Sequence, residues 1–163
     1  MTESDFLSKT LDLHNPIDKI LPAMYPHVDQ TPSSAINHAK RHLSNEIDGL
    51  LKQRFRIINV WRLLKEVKNW PLAVCDARTV KEENLLATDY VRRGFIGKSY
   101  FVPHDPQHKW HYLCRQQPDE VMFKIHDSLD VESKWCPHAS FSLGEEEKPP
   151  SRESIEVRAL VFG

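Results

Sequence analysis

Cysteine is scarce in this chain. Its 163 residues hold only Cys75, Cys114 and Cys136, far apart and without C-x-x-C spacing, which argues against a zinc knuckle or a disulfide framework and for reduced thiols. Long hydrophobic runs are absent too. No stretch approaches the roughly 20 apolar residues of a membrane span, and the N-terminus, MTESDFLSKTLDLHNP, has neither the basic start nor the apolar centre of a secretory signal. The expected location is the cytoplasm, with no membrane partner. A surplus of positive charge is also missing: 22 Lys and Arg stand against 23 Asp and Glu, a net charge of -1, so there is no electrostatic footprint for nucleic acid. A small molecule is the expected partner. With 40% hydrophobic and 28% charged residues, the chain reads as one globular domain with one core.

Residues 1–26 carry scattered apolar positions and three prolines, Pro16, Pro22 and Pro26, and read as an irregular arm ahead of a domain over 27–163. Thr31 suits a helix N-cap and Pro32 the first helical position. Ile36, Ala39, Leu43, Ile47 and Leu50 then follow at helical spacing, which predicts one amphipathic helix over about residues 32–52. Beyond it the period changes. Phe55–Trp61, Leu72–Cys75, Lys98–Val102, Lys109–Leu113, Glu120–Ile125 and Ser154–Phe162 read as short strands separated by turn-rich segments. Successive short strands argue for a sandwich or barrel. In the last strand Ile155, Val157, Ala159 and Val161 alternate with Ser154, Glu156 and Arg158, so the polar face must meet water or a polar cavity. The segment from Gly144 to Ser151, rich in charge and proline, reads as an exposed loop. No internal repeat or low-complexity tract is visible.

The chemistry-bearing pattern starts at His27-Val28-Asp29. On an extended segment the first and third residues point to the same side, so one imidazole and one carboxylate can share a metal. A second histidine from a distant strand would complete a two-histidine, one-carboxylate triad, which leaves three octahedral positions open; His138 is the candidate. Arg152-Glu153-Ser154 lies 14 residues after His138. An arginine fork grips a carboxylate through two hydrogen bonds and a serine hydroxyl adds a third, which suits the far end of 2-oxoglutarate. Arg158 shares the parity of Arg152 and is the alternative anchor.

Several blocks together resemble a known family: His27–Thr31, Ile58–Arg62, Trp70–Arg78, Pro118–Val121, Pro137–Ser140 and Arg152–Leu160 are similar to the AsaB-type hydroxylase/desaturases, fungal enzymes related to gibberellin desaturase and to the cephamycin methoxylase component CmcJ. The resemblance runs in unbroken order over about residues 25–163. It implies a mainly β fold with one or two helices (α+β): a double-stranded β-helix, that is, a jelly-roll, cupin-like barrel. It further implies iron(II) and 2-oxoglutarate as requirements, O2 as co-reactant, and hydroxylation or desaturation of a small organic molecule in secondary metabolism. The chain departs from the family in having 26 residues before its H-x-D motif, where members carry roughly half a domain, and in having Leu63 and His126 where proline and tyrosine are usual. The first departure points to N-terminal truncation and leaves open an incomplete barrel, a homo-oligomer, or a catalytically inactive β-scaffold. A cupin-like metal enzyme without 2-oxoglutarate is a further alternative.

The remaining candidates have ordinary readings. Asn59 and Arg62 are candidates to line the pocket, although a strand arginine is more often a surface salt-bridge partner, and they stay outside the core set. His104, His108, His111 and His126 include an i, i+4 pair around a turn, which does not hold two imidazoles on one face as a helix would. Trp61, Trp70, Trp110 and Trp135 read as core or rim aromatics.

Overall fold

Thr31 begins the first helix as expected. Its backbone is extended and its Oγ1 accepts from the Ser34 N–H at 3.2 Å, satisfying one of the donors that every helix start leaves open. The computed structural model describes residues 22–92, 95–127, 134–144 and 152–163; most of the expected arm, and the Gly144–Ser151 loop beyond Gly144, lie outside them. Helix α1 spans Pro32–His42 and α2 spans Ile47–Leu50. The single helix expected over 32–52 is therefore two. Leu43 leaves the helical region at φ -128°, and Ser44 and Asn45, whose side chains compete for backbone groups, favour the turn that follows. Ile47 nonetheless joins Ala35 and Ala39 in one apolar cluster with Phe55 and Ile57.

The strands are β1 (His27–Val28), β2 (Phe55–Leu63), β3 (Leu72–Cys75), β4 (Leu86–Arg92), β5 (Phe95–Phe101), β6 (Trp110–Tyr112), β7 (Val121–Asp127), β8 (His138–Ser140) and β9 (Ser154–Phe162). They form a six-stranded sheet in the order β4-β5-β1-β8-β3-β6 and a three-stranded sheet in the order β7-β2-β9. All neighbours are antiparallel. The result is a mostly β, partial jelly-roll. Strand β4 carries no signal strong enough to predict: its Leu86, Tyr90 and Val91 are exposed, so neither of its faces shows the alternation that burial imposes.

Register in the three-stranded sheet decides what points inward. On β2, Phe55, Ile57, Asn59, Trp61 and Leu63 are all buried. Asn59 lies opposite Lys124 on one side and Arg158 on the other, and Trp61 opposite Met122 and Glu156. Because paired residues share a face, the polar row of β9 lies on the same side of the sheet as buried Asn59 and Lys124, with Glu156 and Arg158 still exposed on this edge strand. The apolar row of β9 points out, with Ile155 and Val157 more than half exposed.

Candidate metal centre

Strand pairing brings the two histidines together across more than a hundred residues. His27 lies directly opposite His138 in the β1–β8 ladder, and their ring centroids are 4.3 Å apart. Asp29, two residues past His27, falls on the same side of the extended chain. The ligand atoms of His27, Asp29 and His138 all lie within 4.8 Å of one another, and this is the sole such group among the described residues. His104, His108, His111 and His126 form no comparable cluster there.

Hydrogen bonds orient each member. Nδ1 of His27 donates to the Tyr25 carbonyl and Nδ1 of His138 to the Cys136 carbonyl, each at 2.9 Å. A carbonyl can only accept, so in the neutral ring the proton sits on Nδ1 and Nε2 carries the lone pair, which in His138 accepts from the Lys124 ammonium at 2.9 Å. Both Nε2 atoms face Asp29 Oδ1, at 3.8 and 3.7 Å. The other oxygen, Oδ2, takes donors from Asn59 at 2.6 Å, Lys124 at 3.2 Å and Arg158 at 3.2 Å. One carboxylate oxygen is thus saturated and the other is left for the histidine side.

Charge follows the same plan. Burial alone would raise the Asp29 carboxyl, but His138, Lys124, Arg158 and His27 outweigh it and hold the group below the usual carboxylate range. Burial, reinforced by the Lys124 ammonium, pushes His138 well below the ordinary imidazole value. With His138 neutral, the lasting support for the Asp29 charge comes from Lys124 and Arg158. An ionised carboxylate beside two imidazole Nε2 atoms is a donor set for a divalent transition metal, and backbone acceptors on the far ring nitrogens are the partners that metal-binding histidines ordinarily have.

Arg152 stands one step along the same inward row. Its Nη1 donates to Ser140 Oγ at 2.6 Å and to the Trp70 carbonyl at 2.9 Å, and its guanidinium lies over the Trp61 ring at 5.3 Å. Ser140 is two residues from His138 on β8, so the two share a face. The hydroxyl beside Arg152 is that of Ser140; Ser154 opens β9 opposite Leu63. Nε of Arg152 is buried without a hydrogen-bond partner, and no carboxylate pairs with the guanidinium among the described residues. Burial lowers its pKa. A half-buried cation lacking a counter-charge is costly, which makes this an anion-ready position. Arg158 is engaged otherwise, donating to Asn59 Oδ1 at 2.9 Å and paired with Asp29 and Glu156.

Sequence reasoning passed over Lys124 and Glu156 and kept Asn59 only as a candidate pocket-lining residue outside the core set. All three are in the site. The signal that finds them is the pairing register, which aligns Asn59, Lys124 and Arg158 across three strands; single-strand alternation does not contain it.

Comparison with known proteins agrees with this geometry. A family model described as an oxidoreductase/YMDC permease-like domain matches residues 8–162. The hydroxylase/desaturase efuI of Hormonema carpetanum is 39% identical over 86% of this chain and 52% of its own length, and hydroxylase/desaturase asaB of Aspergillus flavus is 33% identical over 72% and 59%. The chain belongs to the AsaB-type hydroxylase/desaturase family. A solved structure of the iron and alpha-ketoglutarate-dependent endoperoxidase NvfI superimposes with a TM-score of 0.82 at 36% identity, covering 92% of this chain and 57% of that one. The chain spans about half the length of the curated relatives it matches.

Proposed function

We propose that this AsaB-type chain is the site-bearing part of an iron(II)- and 2-oxoglutarate-dependent oxygenase that hydroxylates or desaturates a small organic molecule in fungal secondary metabolism. His27, Asp29 and His138 hold the metal and Arg152 anchors the far carboxylate of 2-oxoglutarate. Residues 27–163 form the oxygenase domain, after an arm over 1–26, and act in the cytoplasm. No helix among the described residues is long and apolar enough to cross a membrane. The observation that carries the reading is the convergence of two imidazole Nε2 lone pairs and one free carboxylate oxygen, from β1, the residue just past it and β8, beside a half-buried guanidinium with no counter-anion among the described residues.

Bound iron and 2-oxoglutarate would supply the oxidising power, coupling dioxygen activation to decarboxylation of the co-substrate. The chain's own residues do the rest. Tyr25 and Cys136 carbonyls fix the two imidazole tautomers, Asn59 and Arg158 hold Oδ2 of Asp29, and the buried Trp61, Leu63, Val67 and Leu72 keep water from the Arg152 end, where a charge-assisted hydrogen bond is strongest. Arg152 is preferred to Arg158 because it alone of the two is short of an anion.

Anaerobic addition of iron(II) and 2-oxoglutarate tests the assignment through the visible metal-to-ligand charge-transfer band. The wild-type chain is expected to show it, and His27→Ala and Asp29→Ala to lose it. Arg152→Ala should need about tenfold or more 2-oxoglutarate for the same band, the worth of a hydrogen bond to a charged group. No band in the wild type, or one unchanged in the two ligand variants, overturns the reading.

A further inference from the structure

The buried lysine beside the triad is placed where a cation is wanted. Lys124 is 5% exposed, and its ammonium meets three acceptors: His138 Nε2 at 2.9 Å, Asp29 Oδ2 at 3.2 Å and Glu156 Oε2 at 3.0 Å. Three N–H donors on three acceptors saturate the group. One of those acceptors is the lone pair of His138 Nε2, and a nitrogen lone pair serves an N–H donor or a metal, not both. Around Asp29 the permanent charges already balance, Lys124 and Arg158 against Asp29 and Glu156. A divalent cation entering alone therefore adds uncompensated positive charge to a buried place. A dianionic co-substrate entering with it offsets part of that charge through its near carboxylate, while its far carboxylate answers Arg152.

We propose that Lys124 is a built-in competitor for the metal: its ammonium holds the His138 lone pair in the metal-free protein, shifts its weight to Glu156 when a divalent cation binds, and so makes tight metal binding depend on a dianionic co-substrate. The inference rests on the metal assignment given above. It does not require Lys124 to lose its proton, because the contest is for a lone pair and for local charge.

Titration calorimetry with manganese(II), a redox-stable probe, tests it with and without 2-oxoglutarate in the full chain. Lys124→Met is expected to bind manganese(II) alone about tenfold more tightly than wild type, within the usual range of coupling between sites, and to gain less from added 2-oxoglutarate. Arg158→Met removes one positive charge from the same carboxylate without touching His138, and should tighten binding several-fold less. Glu156→Gln should weaken binding of manganese(II) alone, because it strips the charge from the ammonium's second seat and leaves the centre net positive. Unchanged or weaker binding in Lys124→Met, or equal tightening in Lys124→Met and Arg158→Met, overturns the proposal while leaving the metal site standing. If wild type binds no manganese(II) under either condition, the metal assignment itself fails. Should Lys124→Met not fold by circular dichroism, Glu156→Gln decides by sign: tighter or unchanged binding sinks the proposal.

Discussion

The two faces of the β7-β2-β9 sheet invert the usual arrangement. The inner face carries Asn59, Lys124, Glu156 and Arg158, with Asn59 and Lys124 about 95% buried, while the outer face carries Val121, Phe123, Ile125, Ile155 and Val157, exposed by 41% to 61%. In an antiparallel sheet with one wet side the apolar row normally turns inward. Here the middle of the inner face is polar, between Phe55 and Ile57 at one end and Trp61 and Leu63 at the other, and its groups are satisfied by one another: Asn59 bridges Asp29 and Arg158, and Lys124 bridges Asp29, His138 and Glu156. Buried polar groups are tolerated when their hydrogen bonds are made. What the contrast teaches is that this sheet spends its interior on chemistry, and that the apolar packing which holds it is concentrated at its two ends. One end is the Phe55–Ile57 cluster under the helices, the other the Trp61–Leu63 cluster beside Arg152.

That division can be broken most forcefully at the second end. Leu63 is fully buried on the inner face among Trp61, Val67 and Leu72. Leu63→Ala should cost about 2–5 kcal/mol through lost burial and a residual cavity, read as a shift in the urea midpoint with unchanged slope. A loss under about 1 kcal/mol would mean that the end cluster is not what holds the sheet. The polar interior should show itself through pH. Burial holds the His126 imidazole on β7 below its ordinary value of 6.5, against the opposing pull of Asp127. A depressed folded value means that the unfolded chain takes the proton first. This stability is fully present above about 6.5 and falls as pH drops towards the folded value. His126→Gln should flatten the fall in melting temperature between about pH 7 and about pH 5. His138, depressed for the same reason, leaves the remaining slope; an unaltered slope in the variant would show that His126 is not buried neutral.

Much of this architecture was legible because local rules suffice for it. Alternation gave β9 its full extent, a short apolar run gave β3 its four residues, and Thr31-Pro32 gave the helix start. His27, Asp29, His138 and Arg152 stood out as residue types at telling spacings, and the β1–β8 ladder sets the first three side by side. What could not be read depends on partners. The β7 alternation of Val121, Phe123 and Ile125 against Met122, Lys124 and His126 does not say which row is inside; the usual rule would choose the apolar one and put Lys124 in water. Glu156 was visible only as part of a polar row whose neighbours were unknown. The helix break at Leu43 had a local signal in Ser44 and Asn45, but Ile47 resumes the apolar spacing and hides the turn between.

The outer face supplies the smallest expected effect and the sharpest check on the contrast. Phe123 is 61% and Val157 59% exposed, so Phe123→Lys and Val157→Lys remove little buried area and place a charge in water. Their long stems can lie along neighbouring apolar side chains while the ammonium stays solvated. Each is expected to change stability by no more than about 0.5 kcal/mol, the usual range for surface substitutions, against the several kcal/mol expected of Leu63→Ala on the opposite face. Apolar surface of this extent on one sheet face is also the kind that draws a second layer onto itself. If either lysine variant instead costs about 2 kcal/mol or more, comparable to removing a buried large side chain, and the cost grows with protein concentration, then the face is covered in solution. The apparent inversion of the sheet would then be completed by whatever packs there.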